Sequence, residues 1–104
     1  MRGRVVWSPR AIRRVTEAAR FIADENPRAA IDWVRGLFDF ARPLARFPDM
    51  GRSVPEIGRP EIREILFQGY RVVHRVAPRR VEILTVRHAK RRFSFREVGV
   101  TKTK

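Results

Sequence analysis

The stretch from Glu61 to Arg92, EIREILFQGYRVVHRVAPRRVEILTVRHAKRR, decides the fold. Three runs rich in β-branched and aromatic residues are separated by Gln68-Gly69 and by Ala77-Pro78-Arg79, which predicts a three-stranded meander. Pairing Phe67 with Tyr70, and Ala77 with Arg80, sorts the side chains by the strand period of two. Ile65, Phe67, Tyr70, Val72, Val76, Val81 and Ile83 then share a core face, which also takes His74. The other face receives Glu64, Leu66, Arg71, Val73, Arg75, Glu82, Leu84, Val86 and His88, with Arg75 opposite Glu82 as a cross-strand ion pair. Such a mixture is too polar for a core and too apolar for plain solvent, so an open binding face is expected.

Upstream, the short apolar run GRVVW (Gly3 to Trp7) is followed at once by Ser8-Pro9. Serine at the cap and proline in the first turn start a helix, predicted from Pro9 to about Asp24, with Ala11, Ile12, Val15, Ala18, Ala19 and Ile22 on one face. Asn26-Pro27 repeats the signal, so a second helix begins after a tight turn. Its apolar residues, Ala30, Trp33, Val34, Leu37, Phe38, Phe40, Ala41, Leu44 and Phe47, form a wide face suited to wedging between a helix and a sheet. Pro43 lacks an amide hydrogen and clashes with the carbonyl of Asp39, so a kink or a break is expected there. Pro48 to Pro60, PDMGRSVPEIGRP, lacks periodicity and is expected to be a loop. The basic tail from Phe93 to Lys104 is expected to fray, leaving an ordered core over about residues 3–92 of a single domain, 1–104. The predicted class is α+β: an N-terminal strand, then an antiparallel helical hairpin packed on one face of a mostly antiparallel sheet, in the order β-α-α-β-β-β.

A chain of 104 residues suffices for one core of two packed layers, and 43% hydrophobic with 34% charged residues is a globular composition. The formal net charge of +13 points to an acidic or polyanionic partner. Its basic residues are nearly all arginine, which suits bidentate phosphate contacts, although a GC-rich coding bias gives the same excess. Absence of cysteine excludes disulfides and thiolate metal sites. No apolar run is long enough to cross a bilayer and no signal-peptide pattern opens the chain, so a cytoplasmic protein is expected.

Arg71 and His88 fall near one end of the open face, with Arg87, Arg91 and Arg92 close by in sequence; arginines there are suited to hold a phosphate and an imidazole to transfer a proton. The competing reading is a docking face for an acidic partner, with His88 as a polar edge residue. Two histidines at this spacing give no metal site, and no glycine-rich phosphate loop or nucleophile motif implies a cofactor. Trp7 and Trp33 read as core residues, and Arg63-Glu64 as an ordinary charge pair on a strand.

Taken in order, VVWSPRA, ENPRAA, FPDMGRSVPE, IREILF, GYRVVHRV and VEILTVRHAKR span residues 5–92 and resemble the ParE branch of the RelE/ParE toxins of bacterial type II toxin–antitoxin pairs. The resemblance implies a growth-arresting toxin held silent by a cognate antitoxin, usually within a hetero-oligomer, whose C-terminal segment wraps the toxin. The open face (Glu64, Leu66, Arg71, Val73, Arg75, Leu84, Val86) and the outer surface of the helical hairpin suit that partner. The ParE branch implies inhibition of DNA gyrase without catalysis by the toxin, and no catalytic residue is carried over for it. A RelE-like alternative implies metal-independent mRNA cleavage on the ribosome by Arg71, His88 and Arg91. Against it, the C-terminal tyrosine of those nucleases is missing: Tyr70 is the sole tyrosine, and the tail offers Phe93 and Phe95. A second alternative is a non-toxic basic module that binds nucleic acid.

Overall fold

The computed structural model describes residues 3–100. Strand β1 (Val5–Trp7) leads into helix α1 (Pro9–Glu25) and helix α2 (Pro27–Ala41), followed by a 3₁₀ turn at Arg42–Ala45. Strands β2 (Arg52–Ser53), β3 (Ile62–Phe67), β4 (Tyr70–Ala77) and β5 (Arg80–His88) complete the sheet, and a short helix α3 (Phe95–Val98) follows. The architecture is the expected α+β one, a helical hairpin on a five-stranded sheet in the order β1-β5-β4-β3-β2. Among the described residues, only the β1–β5 pairing is parallel.

Local chemistry sets the boundaries. Ser8 Oγ accepts from the Ala11 amide at 3.0 Å and donates to the Leu84 carbonyl at 3.0 Å, so one side chain caps α1 and ties it to β5. Asn26 joins the two helices alone: its amide donates to the Ile22 carbonyl at 3.0 Å while its side-chain oxygen accepts from Ala29 at 3.1 Å. Pro43 ends α2, and the chain tightens into the 3₁₀ turn, whose Pro43 carbonyl accepts from Arg46 and Phe47. Phe47, expected on the buried face, lies beyond that break and is 58% exposed.

The meander has the expected pairs Phe67 with Tyr70, Ala77 with Arg80, and Arg75 with Glu82. Gln68 and Gly69 both have positive φ (44° and 82°), the backbone of a two-residue hairpin turn whose twist matches its strands. One departure changes the faces. His74 pairs with Ile83 and Val73 with Thr85, so Leu84 is an extra residue in β5. This bulge shifts the alternation by one. Val86 and His88, expected on the open face, are therefore turned to the helix-covered side, opposite Val72 and Tyr70, and Thr85 and Arg87 take the other side.

The main core lies between the helices and the sheet, around Ala11, Val15, Trp33, Leu37, Leu44, Phe67, Val72, Ile83 and Val86. Trp33 meets Tyr70 edge to face at 5.1 Å, and Phe40 meets Phe67 at 5.1 Å. Both tryptophans pack as core residues, Trp7 against Phe38 at 4.4 Å. His74 is fully buried, its Nε2 2.9 Å from the Pro48 carbonyl.

The other face of the sheet is not open. A second core of Val54, Ile57, Ile62, Val73, Leu84, Phe93 and Val98 covers it, joining the proline-rich loop to the C-terminal segment. Phe93 to Val100, expected to fray, is thus docked. Ser94 caps α3 through the Glu97 amide, and Gly99 ends it in the left-handed region. Lys104 and the rest of the tail past Val100 lie outside the described residues.

Candidate functional site

Arg71 anchors the covered face. Its Nε donates to Glu64 at 2.7 Å, and its two terminal nitrogens fork onto Glu56 at 2.8 Å each. The Arg91 carbonyl accepts a further bond at 3.0 Å, and Glu64 also lies 2.6 Å from Nη2, so all three guanidinium nitrogens are hydrogen-bonded within the chain. The Phe93 ring stacks on it, 4.2 Å from Cζ to centroid. Glu56 also accepts from the Phe93 amide, and Glu64 from Arg52. Hydrogen bonds from Arg71, opposed by burial, hold the Glu56 carboxyl at about 2. The same bonds push the Arg71 pKa up.

This clasp ties β3, β4, the proline-rich loop and the C-terminal segment together. A phosphate reaching Arg71 has to displace a carboxylate. Arg71 and His88 also lie on opposite faces, because the bulge at Leu84 turns His88 toward Tyr70 and the helices. The three residues proposed for phosphate chemistry therefore do not converge: only His88 and Arg91 line a common concavity.

The residues expected to bind a partner are dispersed as well. Glu64, Arg71, Val73 and Leu84 are buried under the loop and the C-terminal segment, and Val86 is buried under the helices. Leu66 is 62% exposed, and Arg75 is half-buried in its pair with Glu82. A more continuous apolar surface lies on the outer side of the hairpin. There α1 and α2 bound a groove of about 700 Å³, floored by Val15, Ala19, Ala23 and Ala30, walled by Ile12, Ile31 and Phe38, with Arg20 and Arg35 among its lining residues. Ile12 and Ile31 are about half exposed there. The sequence carries this signal as an apolar stripe too wide for one contact face.

A cationic concavity lies at the end of β5. Pairing with β1 stops at Ile83, so the remainder of β5 is flanked on that edge by α1 and α3. Arg14 of α1 holds Glu97 of α3 through bonds of 2.9 and 2.8 Å, and Thr85 donates to the same carboxylate at 2.7 Å. Burial opposes ionisation of Glu97, but these bonds hold its carboxyl at about 2. Arg87 reaches Glu97 only at 3.9 Å. Sequence reasoning named Arg87 as a nearby arginine but missed Arg14, Glu56 and Glu97 as site residues, because their partners lie far away along the chain.

Among the described residues, no group of three His, Asp or Glu side chains is placed to hold a metal ion, and no helix is long and apolar enough to cross a membrane.

Comparison with known proteins bears on these surfaces. A family model described as the ParE toxin of the type II toxin–antitoxin system, parDE, matches residues 5–93. The Sinorhizobium fredii (strain NBRC 101917 / NGR234) protein called "Putative toxin Y4kP" is 36% identical over 91 residues, spanning 85% of this chain and 90% of that protein. Among solved structures, a chain of the chromosomal ParDE TA system from P. aeruginosa superposes with a TM-score of 0.70 at 16% identity, covering 85% of this chain and 97% of the other. At that identity the superposition establishes the shared fold.

Proposed function

Because the chain belongs to the ParE toxin family of type II toxin–antitoxin systems, we propose that it arrests growth by inhibiting DNA gyrase and that a cognate antitoxin silences it. The match across residues 5–93 carries this reading. The engagement of all three guanidinium nitrogens of Arg71 supports a binding toxin over a nuclease.

The antitoxin site is the groove between α1 and α2. An amphipathic helix laid there buries apolar side chains on the alanine floor, and acidic residues along its flanks meet Arg20 and Arg35. Leu66 and Arg75, exposed and half-buried on the sheet, are suited to a following extended segment.

A supercoiling assay tests the target. Purified protein, freed of antitoxin and titrated against gyrase at fixed ATP, is expected to block supercoiling and to accumulate cleaved DNA. Unimpaired supercoiling at a large molar excess, with cleavage of ribosome-bound mRNA, transfers the activity to the RelE-like alternative. In that case His88 and Arg91 are the first residues to mutate.

A further inference from the structure

We propose that Arg87, His88 and Arg91, at the end of β5 that β1 leaves uncovered, form a binding site for a phosphodiester group of nucleic acid. The inference is independent of which enzyme the toxin acts on.

Charge balance is the first ground. Three arginines, Arg14, Arg87 and Arg91, line a concavity of about 180 Å³. Glu97 serves Arg14 with two hydrogen bonds and accepts a third from Thr85, which leaves Arg87 at 3.9 Å. Glu17, also in the lining, bonds Arg14 as well. Among the described residues Arg91 forms no ion pair. Arg87 is nonetheless largely withdrawn from solvent, with a side chain 16% exposed. Burial first, and then the like charges of Arg14 and Arg91, push its pKa down, with Glu97 opposing them. A cation held in a low-dielectric recess beside other cations is stabilised by an incoming anion.

Donor geometry is the second ground. The backbone amide of Lys90 donates to His88 Nδ1 at 3.2 Å, which places the ring hydrogen of the neutral imidazole on Nε2. His88 thus presents a donor, and its Nδ1 is occupied. Its ring is fixed edge to face on Tyr70 at 5.7 Å, and the phenol lines the same recess. Two guanidinium groups and an imidazole N–H, beside carboxylates whose hydrogen bonds go to Arg14 and Thr85, match the acceptor oxygens of a phosphate. Arg87 and His88 leave β5 on opposite faces of the sheet, and both line the concavity at its end.

The test is fluorescence anisotropy of a labelled 20-base-pair DNA duplex against the full chain over a range of salt, for wild type, Arg87→Gln, Arg91→Gln and Arg46→Gln. The last removes the same charge from an exposed position after α2. Loss of one phosphate contact is expected to flatten the log–log salt slope by about 0.9 in Arg87→Gln and Arg91→Gln, with a smaller change in Arg46→Gln. Melting curves establish that each variant is folded. If the buried Arg87 variant is not, Arg91→Gln on the exposed turn decides. Equal slopes for the three variants overturn the site. Nuclear magnetic resonance of the arginine Nε–H groups with inorganic phosphate separates the sources. Shifts at Arg87 that saturate with phosphate, while duplex binding is unchanged in both site variants, overturn the nucleic-acid assignment.

Discussion

The two faces of one sheet are closed in different ways. Under the helices, Leu37, Leu44, Val72 and Ile83 are wholly or almost wholly buried among aromatic rings, and the cohesion is apolar. On the other side a smaller apolar set is locked by ions: Arg71 with Glu56 and Glu64 at one end, Arg14 with Glu97 at the other. An apolar core degrades gradually as methylenes are removed, but a buried ion cluster fails abruptly, because deleting one partner strands the others. The C-terminal segment therefore depends on a few charged groups, whereas the hairpin depends on many weak contacts.

The comparison can be broken most forcefully at Arg71. Arg71→Ala leaves Glu56 buried without its counter-ion and Glu64 with only the exposed Arg52, and is expected to cost about 3–5 kcal/mol in urea unfolding. A loss below about 1 kcal/mol shows that the clasp does not hold the second face. Leu37→Ala, in the apolar core, is expected to cost about 2–5 kcal/mol, with the loss spread across both helices in hydrogen exchange.

Acid sharpens the contrast. Glu56 and Glu97 have folded-state pKa values of about 2 against an ordinary 4.5, so their stabilisation is complete above 4.5 and disappears as pH falls toward 2. Proteolysis in that window is expected to cut first near Phe93 to Val100, while α1 and α2 resist. Simultaneous loss of both regions contradicts the division. The smallest effect is at His74, where burial, aided by Arg63 and opposed by the Pro48 carbonyl, lowers the pKa from 6.5. Its contribution is complete above 6.5 and lost below it, toward the lowered folded value. The melting temperature of wild type should therefore drop between pH 7 and 5 more than that of His74→Gln.

The apolar face was the legible one. Its strand alternation up to Ile83, the Ser8 and Asn26 caps and the Gln68-Gly69 turn are local or period-two signals, and each takes its expected place, as does the Arg75–Glu82 pair on the other face. The bulge was hidden because Ile83, Leu84, Thr85 and Val86 are all strand-formers, with no glycine to mark the extra residue. The cover was hidden because Val54, Ile57, Phe93 and Val98 are isolated apolar residues in proline-rich or basic surroundings. Their burial depends on Arg71, which is 15 residues from Glu56 and reads in isolation as a free cation. The candidate phosphate residues are dispersed for the same reason. Arg71 was the obvious arginine in the sequence, and the structure consumes it, leaving Arg87 as the under-partnered one.

The C-terminal segment closes the second face of the sheet, which leaves the helical groove and the end of β5 as the surfaces proposed for partners. Native-state hydrogen exchange of the wild-type chain tests it directly. The amides of Val98, Gly99 and Val100, hydrogen-bonded within the segment, and that of Phe93, bonded to Glu56, are expected to be protected, and Arg71→Ala to remove that protection while α2 keeps its own. Exchange of these amides at unprotected rates in the wild type contradicts the account and restores an open sheet face.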